Sequence, residues 1–237
     1  MKIRRISDQF VRNFKMRALH VSDTHGQLPR LYGRFDVVIH TGDLFPNSHH
    51  VMQGNRVAEA LFQHQWLQDE LASFKKWLGG HPFYYVPGNH DFLASALMEQ
   101  ELAAEGIKVH DLTDKLLTFE GVNFYGFPYV PAINGMWNYE REIPEMQVEA
   151  DKMVEELNKT YVDVLVCHAP LYKCLDLSMS NQLLGSTVIS DALDYKVSKD
   201  MQPTHYLCGH IHEAHGVTIR NGMLVSNAAT TQHIIEV

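Results

Sequence analysis

Histidine, aspartate and asparagine recur in five short blocks: Asp23-Thr24-His25-Gly26, Gly42-Asp43, Gly88-Asn89-His90-Asp91, His168-Ala169-Pro170 and Gly209-His210-Ile211-His212. Imidazole and carboxylate together suit Zn, Fe, Mn, Co or Ni, whereas a calcium cage is built from oxygen alone and a thiolate cluster needs Cys. The candidate ligands Asp23, His25, Asp43, Asn89, His168, His210 and His212 are too many for one ion. Spread over two divalent transition-metal ions with one bridging carboxylate, they leave positions open for water and substrate. That is the two-metal arrangement, with ~3.5 to 4 Å between ions, used for phosphoryl displacement. The glycines beside the ligands permit sharp turns and close backbone approach in a crowded site.

Each block follows a strand-like run. Strands are predicted at 18–22, 36–40, 83–86, 163–167 and 205–208, and the polar residues fall at their C-terminal ends. Ligands gathered there converge on one rim, where open α/β folds place their sites. Further strands are predicted at 115–119, 123–127, 216–219 and 224–226. Helices are predicted at 55–78, 92–104, 144–158 and 190–201, the first with an apolar stripe of Val57, Leu61, His64, Leu67, Leu71, Phe74 and Leu78. The closely spaced strands of the second half read as antiparallel pairs. The expected class is therefore α/β (α+β), a two-sheet core flanked by helices rather than one doubly wound sheet.

Composition narrows the setting. The 237 residues include 15 His, several-fold above ordinary usage, and hydrophobic residues at 45% exclude a disordered chain. No run reaches the ~18 to 20 apolar residues of a membrane span and no secretory h-region is present, so a cytoplasmic protein is expected. Three cysteines, Cys167, Cys174 and Cys208, without a Cys-x-x-Cys pair, read as reduced thiols. Residues 1–15 place Ile3, Ile6, Phe10 and Phe14 at helical spacing among basic residues, a basic amphipathic arm preceding a single domain at 16–237. The net charge is -8, and residues 1–17 set six cations against Asp8, so the remainder is strongly acidic. Such a body is unsuited to stable duplex nucleic acid binding, which neutralises many phosphates with Lys and Arg. The sequence leaves the oligomeric state open, a dimer included.

The five blocks, in this order, resemble the signature of the calcineurin-like metallophosphoesterase superfamily. The resemblance is nearest to the branch of class III cyclic nucleotide phosphodiesterases and brain-type metallophosphoesterases, through Val21-Ser22-Asp23-Thr24-His25-Gly26, Ile39-His40-Thr41-Gly42-Asp43, Gly126-Phe127-Pro128-Tyr129, Trp137-Asn138-Tyr139 and Gly209-His210-Ile211-His212-Glu213. It implies a four-layer α-β-β-α sandwich of two mixed β-sheets flanked by helices. It also implies that Asp23, His25 and His212 hold one ion, that Asn89, His168 and His210 hold the other, and that Asp43 bridges them. A hydroxide shared by both ions is then the expected nucleophile. His90 is the expected catalytic residue, stabilising phosphoryl charge or protonating the leaving oxygen, while Asp91 orients that region and His40 lies behind the ligands.

Departures from other branches narrow the substrate. Protein phosphatases follow Gly-Asp with Asp-Arg-Gly, and purple acid phosphatases supply a nearby Tyr, but this chain reads Gly42-Asp43-Leu44-Phe45-Pro46-Asn47. The expected activity is hydrolysis of a small phosphodiester such as a cyclic nucleotide, with Tyr129, Trp137 and Tyr139 stacking a flat group. A nuclease or a phosphomonoesterase on the same site are the alternatives. A scaffold that keeps the fold without catalysis is the reading of another class, and retention of His90 and Asp43 argues against it.

Overall fold

A computed structural model describes residues 16–237, and the basic arm expected at 1–15 lies outside the described residues. The first half contains β1 (Arg17–Val21), β2 (Val37–His40), α1 (Arg56–Leu78), β3 (Phe83–Tyr85), α2 (Ser95–Ala104), β4 (Val109–Asp111), β5 (Leu116–Phe119) and β6 (Val122–Phe127). A short parallel pair follows, β7 (Val130–Pro131) and β8 (Glu140–Arg141), and then α3 (Ile143–Lys159). The chain ends with β9 (Val164–Cys167), α4 (Thr187–Asp191), β10 (His205–Cys208), β11 (Gly216–Arg220), β12 (Met223–Asn227) and β13 (Gln232–Glu236).

Alternation along the strands generates the layers, because successive side chains point to opposite faces. In β2, Val37 and Ile39 enter one apolar cluster while Val38 enters another, and in β9 Val164 and Val166 separate from Leu165 and Cys167 in the same way. The shared cluster joins Ala18, Ile39 and Tyr84 of one sheet to Phe124, Val166 and Leu207 of the other, so it fills the space between the sheets. The outer face of the first sheet packs against Leu67, Phe74 and Leu78 of α1 and Met98 and Leu102 of α2. The outer face of the second packs against Met146, Ala150, Met153 and Leu157 of α3 and Val188 and Ile189 of α4. The result is the four-layer α-β-β-α sandwich.

The first sheet runs β13-β1-β2-β3-β4 and the second β11-β12-β10-β9-β6-β5. Both are mixed, but antiparallel pairing is confined to β1–β13, β5–β6 and β11–β12. The closely spaced strands of the second half do pair antiparallel, β5 with β6 and β11 with β12, while β6, β9, β10 and β12 pair in parallel to form the middle of the second sheet. Parallel strands buried on both faces are near-continuous apolar runs, and β9 (VLVC) is fully buried. Strands β4 and β13 and the β7–β8 pair were not expected, and the helix predicted at 190–201 is instead α4, a π-turn over Ala192–Lys196 and a 3-10 turn over Lys199–Met201.

The stripe expected on α1 also requires correction. Its C-terminal half follows the expectation, but Val57 and Leu61 are exposed, and Glu59 and Gln63 occupy the buried face instead. Asn55 caps the helix by accepting from the Ala58 amide at 3.1 Å.

Candidate metal centre

The ligand blocks lie on one rim, beyond the C-terminal ends of β1, β2 and β3 in the first sheet and of β9 and β10 in the second. Three sets of donor atoms each fall within 4.8 Å of one another: Asp23, His25 and His212; His25, Asp43 and His90; and Asp43, His168 and His210. Asn89 joins the third set, its Oδ1 3.0 Å from His168 Nε2. Every ligand candidate is therefore brought together, with Asp43 and His25 common to adjacent sets.

The donor chemistry fits metal ions. His168 Nδ1 donates to the Thr41 carbonyl at 2.6 Å, which turns Nε2 toward Asn89 Oδ1 at 3.0 Å and Asp43 Oδ2 at 3.3 Å. Three acceptor atoms facing one another are reconciled by a shared cation, a metal ion or a proton. On the other side His25 Nε2 stands 4.0 Å from Asp43 Oδ2, and His212 Nε2 lies 3.2 Å from Asp23 Oδ1. His168 is fully buried, whereas the His25 and His212 side chains are partly exposed, so one end of the site opens to solvent.

Charge is concentrated accordingly. Burial works to raise the Asp43 pKa, but the His168, His90 and His25 rings overcome it and hold the carboxyl well below its ordinary range. Burial likewise works to lower His168, and the Asp43 charge and hydrogen bond reverse this, lifting it to about 9. His210 is pushed down to about 4 by burial and by its neighbour His168.

The backbone is bent to deliver these groups. Asp23, His25, Asp43 and His210 all adopt left-handed φ, at 54°, 46°, 57° and 71°. Each such residue costs on the order of 1 kcal/mol, and strain of this kind collects at functional sites. Gly88 faces the same crowding: a Cβ there would overlap Asp43 and stand 2.7 Å from His168 Nε2.

His90 and Asp91 are fixed by separate networks. The Asp91 carboxylate, fully buried, accepts from the amides of Asp43 (2.8 Å), Gly88 (2.8 Å) and Phe45 (3.0 Å) and from the Tyr85 hydroxyl (2.7 Å). It thereby ties the turn after β2 to the turn after β3. The His90 amide donates to Asp43 Oδ1 at 2.7 Å, and His90 Nδ1 meets Asn47 Oδ1. Asn47 Nδ2 donates to the Glu59 carboxylate (3.1 Å) and to the His90 carbonyl (3.0 Å), so its oxygen is the acceptor and His90 Nε2 is left available. His40 is buried; its Nδ1 accepts from the Gly42 amide at 3.2 Å and its Nε2 meets Thr24 Oγ1 at 3.1 Å, bracing the two ligand turns.

Of the three aromatics expected to stack on substrate, the structure brings only Trp137 to the site, its ring 4.0 Å from that of His90. Tyr129 is corrected: it is buried, donates its hydroxyl to Asp114 at 2.6 Å and carries the Arg141 guanidinium over its ring. Tyr139 packs against the apolar cluster containing Tyr129, so its ring serves the core. Sequence reasoning missed Asn47, Glu59 and Gln63. Gln63 Oε1 accepts from the Phe92 and Leu93 amides at 2.6 and 3.0 Å while its Nε2 donates to the His90 carbonyl at 2.7 Å. The available signal was the i, i+4 spacing of two polar residues on a helix face otherwise read as apolar.

A profile of the family described as "Calcineurin-like phosphoesterase" matches residues 16–214, which include all the ligand blocks. The chain belongs to the calcineurin-like phosphoesterase family. Among curated relatives, Metallophosphoesterase domain-containing protein 1 of Homo sapiens is 27% identical over 83% of this chain and 60% of its own length. UPF0046 protein K07C11.7 of Caenorhabditis elegans is 30% identical over 90% of this chain and 69% of its own. The chain thus spans about 60% of the length of the human relative. Among solved structures, TT1561 of Thermus thermophilus superposes with a TM-score of 0.54 at 14% identity, covering 90% of this chain and 89% of that one. A putative 5'-nucleotidase from Staphylococcus aureus gives 0.53 at 13% identity, over 92% of this chain and 50% of its own. Both neighbours share the layered fold. No helix among the described residues is long and apolar enough to cross a membrane.

Proposed function

We propose that this chain is a metal-dependent phosphodiesterase acting on a small phosphorylated substrate. The observation that carries the reading is the Asp43 carboxylate, which belongs to two donor sets at once. Asp23, His25 and His212 would hold one ion and Asn89, His168 and His210 the other, with Asp43, whose Oδ2 faces both His25 and His168, able to serve both. When bound, the two ions polarise phosphoryl oxygens and acidify water. The chain's own contribution is positional: Asp91 clamps the turns that carry Asp43 and Asn89, and the Asn47 bond directs His90 Nε2 toward the phosphoryl group or the departing oxygen. The diester preference follows the sequence resemblance to the phosphodiesterase branch, carried by Gly126-Phe127-Pro128-Tyr129 and Trp137-Asn138-Tyr139. Three free, buried cysteines support a reducing, cytoplasmic setting.

The test is metal analysis and turnover after reconstitution with Mn, Zn, Ni and Fe. The expected result is close to two ions per chain and faster hydrolysis of bis-p-nitrophenyl phosphate than of p-nitrophenyl phosphate. His90→Ala retains the ions and loses about 10²-fold or more in kcat. Faster monoester turnover overturns the diester assignment, and absence of both activities with every metal overturns the phosphoesterase reading.

A further inference from the structure

A cavity of about 490 Å³ opens beside the first donor set, with Asp23 and His25 in its wall. Its other lining side chains carry no charge, and they come from the two ends of the chain: Gln27 after β1, and Thr230, Thr231 and Gln232 at the start of β13. Gln232 is committed to building the wall, its Oε1 accepting from the Tyr32 amide at 3.2 Å and its Nε2 donating to the Arg30 carbonyl at 3.1 Å. The Gln27 side-chain amide and the Thr230 and Thr231 hydroxyls differ. Among the described residues they have no hydrogen-bond partner, so two hydroxyls and an amide border the cavity uncommitted.

The backbone adds an independent observation. Thr230 adopts φ 56°, a left-handed conformation that is a genuine outlier for a β-branched residue. Ala229 and Ala228 precede it, and its amide donates to the Ser22 carbonyl at 3.2 Å, one residue before Asp23. A glycine would meet the same backbone requirement without strain. A strained, polar, β-branched side chain next to a ligand residue is the pattern of strain retained for function.

We propose that this cavity is the subsite that receives the uncharged, hydroxyl-bearing group esterified to the phosphate, a sugar or another polyol. The inference rests on the phosphoesterase reading and gives its substrate class. With the phosphate at the donor sets, the esterified group enters a space whose polar side chains, apart from Asp23 and His25, are uncharged. Vicinal hydroxyls on that group pair with Thr230, Thr231 and Gln27.

The test measures binding to the metal-loaded full chain by calorimetry, using methyl phosphate, glycerol 3-phosphate and ribose 5-phosphate, which present the same phosphate with an increasing number of hydroxyls. Ribose 5-phosphate is expected to bind at least tenfold more tightly than methyl phosphate. Glycerol 3-phosphate at an intermediate affinity identifies a general polyol site, and at the methyl phosphate level a sugar-ring site; both support the subsite. In Gln27→Ala/Thr231→Val the preference for ribose 5-phosphate falls to within about twofold. Thr230→Gly removes hydroxyl and strain together, so its melting temperature does not fall and the preference drops; an unchanged preference in that variant assigns the strain to folding alone and overturns the role of Thr230. No preference in the parent protein, or a preference that survives the double substitution, overturns the subsite while leaving the phosphoesterase reading intact. Failure of methyl phosphate itself to bind overturns the reading and the subsite together.

Discussion

Asp43 carries more of the site than any other residue. One carboxylate oxygen accepts the His90 amide, and the other lies between His25 and His168. Its own amide is held by Asp91, and its left-handed φ aims the side chain across the rim. Gly88 lies against this carboxylate, so Gly88→Ala is expected to push Asp43 and His168 apart and to weaken metal binding by at least tenfold, a size typical of lost orientation in metal sites. Equilibrium dialysis of the variant against Mn or Zn checks this, and unchanged affinity contradicts the crowding argument. At this scale the site was largely legible, since each ligand type is written into a short block. The supporting residues were not. Asn47 sits four positions after Asp43 in a stretch with no periodic signal, and its function depends on contact with a residue 43 positions away.

Helix α1 shows why elements are harder to read than ligands. Its apolar residues suggest one continuous stripe, yet the helix turns Glu59 and Gln63 inward and leaves Val57 and Leu61 in solvent. The reason is the content of the space beneath its first turns. The turns at 43–48 and 88–93 present amides and carbonyls there, and buried backbone groups require partners. Glu59 accepts the Ser48 amide at 2.9 Å, and Gln63 serves Phe92, Leu93 and His90. Gln63→Leu, close in volume, leaves these groups unsatisfied at about 1 to 3 kcal/mol each. The expected fall in melting temperature is on the order of 10 °C, given about 2 to 4 °C per kcal/mol for a chain of this size. A thermal scan showing a change under about 2 °C, the effect of a single kcal/mol, rejects this account. Strands β4 and β13 escaped detection for a related reason: each is a short edge strand that mixes apolar with polar residues, VHD and QHIIE, so neither is a continuous apolar run.

At the scale of the molecule, the site joins two sheets, and protons compete with ions for it. His168 is raised to about 9 by Asp43, so in metal-free protein the pair contributes stability fully present below about pH 6.5 and lost as pH rises through about 9. Chelated protein is therefore expected to melt at progressively lower temperature between about pH 6.5 and 9, which a thermal scan across that range checks. Over the same window metal affinity rises, because binding must displace the His168 proton. Calorimetry of metal binding in two buffers of different ionisation enthalpy reads that proton directly; no release near neutral pH contradicts the assignment. The two sheets flanked by helices were foreseen from the closely spaced strands of the second half, and their four-layer stacking from the family resemblance. Short spacing marked the antiparallel pairs β5–β6 and β11–β12, whereas the parallel order of β6, β9, β10 and β12 was not legible, since nothing in the spacing says which separated strands become neighbours.

The contact between His212 and Asp23 spans 189 residues of chain. The first donor set therefore does not exist until both sheets have formed and docked, a late event for a contact of such separation. Bound ions then stabilise the native state without lowering the folding barrier. Saturating metal is expected to slow unfolding while leaving the refolding rate within about twofold of the chelated protein, so the metal acts as a latch on the finished fold rather than as a seed for it.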